Sequence, residues 1–282
     1  MQSLMTLLLS ASFAAVVAVL VTLAIERLGG HRGGLLGTLP STIVPAAIGL
    51  YAASPTLEAF EASLLMTPMG MFFNAVFLLC WRVLPHRLPP LPMQARLLLC
   101  CLISLVCWAT LASGGIWLMP RVDALGLDRW SAGIVIFGFG LGVGILACIK
   151  NPPGPSASTP VGPVTLIARG LLAGLAIGSA IWLAEHAGPH IAGLAAVFPA
   201  IFLTTMVSLW WTHGEAVGAG AVGPMMLGGT SVSGFALCAA ALIPALGPML
   251  GSIAAWVIAV AGVTVPSWWW MSRQRARSLP SA

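Results

Sequence analysis

Apolar residues along this chain fall into long runs separated by short polar turns. Nine runs reach the ~20 residues a helix needs to cross a hydrocarbon core: roughly 4–26, 33–53, 61–83, 95–118, 130–149, 164–184, 190–211, 216–239 and 245–270. Between the fifth and sixth lies Asn151-Pro152-Pro153-Gly154-Pro155-Ser156, continuing to Pro163. Such a stretch cannot hold a helix and reads as a linker. The pattern predicts an all-α polytopic membrane protein of about nine transmembrane helices.

One unit occurs twice within that pattern. Glu26, His31, Gly34, Leu35 and Pro40 match Glu185, His190, Gly193, Leu194 and Pro199, all at one offset of 159 residues. The third and eighth runs match through Gly70, Phe77, Leu79 and Cys80 against Gly228, Phe235, Leu237 and Cys238. The fourth and ninth match through Ser104, Trp108 and Gly114 against Ser252, Trp256 and Gly262. The repeat thus covers four helices, and the fifth run stands outside it. The expected organisation is a four-helix repeat over 1–118, a linker helix over 119–150 and a cytoplasmic Pro-rich linker over 151–163. A second repeat follows over 164–271, and a cytoplasmic basic tail over 272–282. An odd number of spans between the copies makes them face opposite ways, a 4+1+4 inverted plan. Secondary transporters often use this plan and bind at the repeat interface.

Composition sharpens the class. The chain is 59% hydrophobic and 7% charged, against about 25% charged in soluble domains, and its mean hydropathy is +1.01. A net charge of +5 does not mark a nucleic-acid binder, because the basic residues stand at helix ends rather than on an aromatic-interleaved face. Their distribution sets orientation instead. Arg27, Arg32, Arg82, Arg87, Arg96, Lys150, Arg169, Arg273, Arg275 and Arg277 fall on one side, and only Arg121 and Arg129 on the other. The first side is then cytoplasmic, with the N-terminus outside and the C-terminus inside. Trp81, Trp117, Trp130, Trp182, Trp210, Trp211 and Trp268 to Trp270 stand at run ends, where interfacial tryptophans belong. The cysteines lie in apolar runs and read as buried thiols without a CxxC metal signature. No cleavable signal peptide is expected, since the N-terminus lacks a basic region. Gly138, Gly140, Gly142 and Gly144 read as a close-packing helix face.

Candidate chemistry follows from the duplication. Inversion places Glu26, His31 and Glu215 at the cytoplasmic face and Glu58, Glu185 and His190 at the outer one. Two carboxylates and an imidazole per face can gate the path, pass protons or hold a divalent cation, with Glu26, His31, Glu185 and His190 as the metal candidates. A structural turn copied with the duplication leaves the same residues, because an acid near a helix N-terminus is favoured by the helix dipole. Pro40 and Pro199 fall inside the second and seventh runs, accompanied by Ser41 and Thr42 and by Thr204 and Thr205. Broken helices of this kind line midplane sites in transporters, although a packing kink looks alike. Asn74, Thr230, Ser231, Trp108 and Trp256 complete the expected substrate site. Met66, Met69, Met71, Met225 and Met226 serve packing or a soft metal. No Asp, Glu, Lys or Arg is clearly mid-span, and Arg169 is near enough to its span end to snorkel.

These features predict a small secondary transporter of the bacterial inner (plasma) membrane, working by alternating access on a small solute or cation. It is not expected to be an enzyme or to need a cofactor, and its partners are the bilayer, its solute and, as an open alternative, further copies of itself. A divalent-metal permease with Glu/His gates is the narrower alternative. A non-transporting assembly protein and a lipid-modifying enzyme are the remaining ones, since fold alone does not fix function.

Overall fold

Helix formation follows the apolar runs closely, because a backbone in hydrocarbon must satisfy its own polar groups. The computed structural model describes residues 2–28, 39–124, 126, 128–149 and 162–278. Its regular elements among these residues are all helical. In chain order they are α1 (Gln2–Leu28), α2 (Ile43–Ala53), α3 (Leu57–Leu65), α4 (Thr67–Val83), α5 (Met93–Ala124), α6 (Arg129–Ile149) and α7 (Pro163–His186). Then come α8 (Pro189–Ala196), α9 (Ala200–His213), α10 (Glu215–Leu246), α11 (Pro248–Ala259), a π-helical turn (Val260–Thr264) and α12 (Val265–Ser278).

Seven segments among the described residues are long and apolar enough to cross a membrane. They are Leu57–His86, Met93–Met119, Arg129–Ile149, Pro163–His186, Pro189–Trp211, Ala219–Leu246 and Pro248–Gln274. The fully described apolar stretches of the first two runs, Leu7–Leu20 and Ile43–Ala53, are shorter. Large apolar side chains cover the outside: Val135, Val164, Leu175 and Leu250 are each at least 65% exposed. Such a surface suits lipid and marks a membrane protein.

The last boundary differs from the hydropathy pattern. Runs eight and nine predict a turn near residues 240–244, but α10 continues through Pro244 to Leu246 and turns at Gly247. Gly247 is the single residue between α10 and α11, and its φ of +80° is one that side-chain-bearing residues rarely adopt. Gly251 then lets the two helices close, since a Cβ there would lie 2.6 Å from the Ile243 backbone.

Helix α1 packs on α7 along a stripe of small residues. Gly170, Gly174 and Gly178 recur every fourth position and face Ala11 and Ala15. Missing side chains let the backbones approach where no hydrophobic force drives helices together. Helix α4 packs on α10, α2 touches α11, and α5 touches α8 and α9. The glycines of α6 do not behave as expected. Gly138, Gly140 and Gly142 have no neighbour within 4 Å of a built Cβ, whereas Gly144 meets the Leu227 backbone at 2.9 Å and Gly133 meets Leu237. Glycines two apart point around the helix rather than along one face.

Two hydrophobic clusters form. One gathers Leu50, Phe60, Leu64, Ile181, Phe235 and Ile243. The other gathers Phe77, Trp81, Cys100, Met206, Trp210 and Met226. Trp81 and Trp210, expected at the interface, are buried in the second cluster with ring centroids 5.8 Å apart. Trp117, Trp182 and Trp211 are exposed. The Arg82 guanidinium donates to the Ala147 carbonyl, and Glu58 pairs with Arg129 at 3.4 Å. The starts of α3 and α6 therefore share one face, and the ends of α4 and α6 share the other.

Candidate functional site

Pro199 does more than kink the seventh run. Without an N–H it cannot bond the Ala195 carbonyl, and the helix stops at Ala196 and restarts at Ala200. Most of the freed carbonyls find local donors. Val197 N–H bonds Leu194 O at 3.2 Å, Phe198 N–H bonds Ala195 O at 3.1 Å, and Ala200 N–H bonds Phe198 O at 2.7 Å. The Val197 carbonyl is reached from elsewhere: Asn74 Nδ2 on α4 donates to it at 2.9 Å. The seventh run is thus broken rather than merely kinked, and a side chain of α4 holds the break.

Close approach makes this contact possible. Gly193 of α8 lies against the Ser63 carbonyl and Met66, with no room for a Cβ. Gly70 of α4 lies against Val197 and Leu194. Thr67, Gly70 and Asn74 occupy one face of α4 by their spacing of three and four. Thr67 and Asn74 are 0% and 2% exposed, and Thr67 Oγ1 and Asn74 Oδ1 have no hydrogen-bond partner among the described residues. Trp108 of α5 also meets the break, edge-on to Phe198 with centroids 5.3 Å apart. It is 8% exposed, and its Nε1 also has no hydrogen-bond partner among the described residues. Asn74 and Trp108 therefore both contact the break, each with a buried polar atom in an apolar setting.

The other expected residues lie elsewhere or are already bonded. Pro40 is buried, and Ser41 and Thr42 are half-buried where α2 begins at Ile43. Pro40 thus stands just ahead of α2. Thr204 bonds the carbonyls of Ala200 and Ile201 in its own helix, and Thr230 bonds that of Leu227. Such back-bonding uses hydroxyls that the composition offered to a solute. Ser231 is buried in α10, and Trp256 packs on the first cluster.

Arg169 departs from expectation. Rather than snorkelling, it is 8% exposed and donates from Nη2 to Thr205 Oγ1 on α9 at 3.0 Å. Thr205 was visible in sequence beside Thr204, but no local pattern links it to Arg169, 36 residues away.

The Glu/His sets do not assemble as metal centres where they are described. No group of three His, Cys, Asp or Glu among the described residues can hold a metal ion, so Glu58, Glu185 and His190 are not brought together as one. Glu58 pairs instead with Arg129, beside Glu61, Asp128 and Trp130 in a surface pocket of about 340 Å³. Asp128 caps α6, and the Ser131 N–H and hydroxyl hold its carboxyl below the usual range. Glu185 is exposed and His190 half-buried at the turn into α8. His31 and the side chains of Glu26 and Glu215 lie outside the described residues. No family model, curated protein or solved structure matches this chain.

Proposed function

We propose that this chain is a small secondary transporter in which two inverted four-helix repeats alternate access to a site at the break of the seventh run. The arrangement is 4+1+4 over nine spans, in an inner (plasma) membrane, with the N-terminus outside and the basic-rich face cytoplasmic. Packing supports this reading. Repeat-equivalent helices face each other, α1 on α7 and α4 on α10, and the cross-contacts are reciprocal: α2 with α11, and α5 with α8 and α9. Both repeats contribute to each hydrophobic cluster. The observation that carries the proposal is the Asn74 bond to Val197 O, which joins a mid-helix residue of one repeat to the broken helix of the other. Transporters bind solutes where discontinuous helices expose backbone groups at a repeat interface. With no ATP-binding motif in the sequence, the reading assigns the driving force to an ion gradient or to the solute's own.

A cysteine at Phe198, in a chain whose native cysteines are replaced by Ser or Ala, tests the site without a known substrate. The reading predicts modification by membrane-impermeant thiol reagents added from either side of a vesicle. A Phe198→Cys residue that no reagent reaches from either side contradicts it.

A further inference from the structure

Two side chains at the break narrow the kind of molecule it holds. Asn74 Nδ2 has two hydrogens, and each faces an acceptor: the Val197 carbonyl at 2.9 Å and the Met71 sulfur at 3.4 Å. Turning the amide over would set its oxygen against a carbonyl oxygen, so Oδ1 is the atom left unbonded. Trp108 Nε1–H can only donate, and it is buried without a partner among the described residues. An acceptor and a donor thus flank the consecutive residues Val197 and Phe198. Each is costly to bury unpaired, so a ligand that completes both is favoured.

Charge and wall chemistry narrow it further. Met69, Phe73, Phe198 and Phe202 belong to the same apolar cluster as Trp108. Of the described carboxylates, Glu58, Glu61 and Asp128 line the surface pocket and Glu185 is exposed, so none offers a cation a partner at the break. The Arg169 guanidinium is bonded to Thr205, five residues and about 8 Å along α9 from Ala200. Resting on the reading of the break as the carrier's site, we infer that its substrate is a small neutral molecule. It carries both a hydrogen-bond donor and an acceptor, as a primary carboxamide does, and its body is apolar or aromatic.

Binding of benzamide, benzoate and benzylammonium to the purified full chain tests this, because the three share a ring and differ in charge. Benzamide is expected to bind at least tenfold more tightly than either ion. Trp108→Phe keeps a ring against Phe198 and is expected to weaken benzamide at least tenfold. N,N-dimethylbenzamide, which lacks the N–H donors, is expected to bind at least tenfold more weakly than benzamide to the unaltered chain, a result independent of any variant's folding. Tighter benzoate binding that Arg169→Gln abolishes would overturn the neutral class in favour of anions. Preference for benzylammonium, or no binding of any of the three, would overturn it as well. Benzamide binding without protein-dependent flux into proteoliposomes would leave the ligand class standing and remove the transport reading.

Discussion

At the scale of single residues, Asn74 is the side chain whose loss reaches furthest. Its amide bonds the carbonyl of Val197, which the break leaves outside both flanking helices. Asn74→Leu strands the Val197 carbonyl in an apolar setting, so a loss of about 1–3 kcal/mol is expected, read as a lowered unfolding temperature in detergent. Thr204→Val and Thr230→Val are expected to cost no more than the ~1 kcal/mol of one ordinary hydrogen bond, because those hydroxyls return to their own helices. Equal losses in all three variants would contradict this ranking. The sequence shows why Asn74 is noticed but not why it matters. A polar residue deep in an apolar run stands out, but its acceptor lies 123 residues away and no local pattern points to it. The hydroxyls misled for the opposite reason: a threonine inside a helix can always bond its own backbone, and composition does not reveal when it does.

At the scale of elements, the all-helical class and seven membrane-length segments were legible because span length is a property of a contiguous segment. Pro199 announced a disruption, and the break follows from its missing N–H. Glycine was harder to read. The conspicuous alternating run in α6 scatters its glycines around the helix, whereas Gly170, Gly174 and Gly178 keep to one face of α7 and bring it onto α1. Contrasting substitutions check this. Gly193→Ala must push a methyl into the Ser63 carbonyl and is expected to destabilise by about 1–3 kcal/mol, measured by thermal unfolding. Gly142→Ala points into open space and is expected to be neutral or to stabilise by about 0.5–1 kcal/mol, since alanine is the better helix former. Destabilisation by Gly142→Ala comparable with Gly193→Ala would mean that α6 packs more tightly than described.

At the scale of the whole molecule, the proposed duplication and the charge asymmetry rest on residue identity and order, which the chain displays directly. The packing that would turn them into a machine was not legible there, since contacts between repeats connect residues far apart in the chain. The central claim is that the break opens to alternate sides, and locking one end tests it most directly. Trp81 and Trp210 meet near the end of α4 that carries Arg82, the cytoplasmic end in the proposed orientation. With Trp81→Cys and Trp210→Cys joined by a short bis-thiol cross-linker before a reporter cysteine at Phe198 is probed, the account predicts labelling from the outside only. Labelling from the cytoplasmic side that survives the cross-link, or loss of access from both sides together, would contradict alternating access at this site.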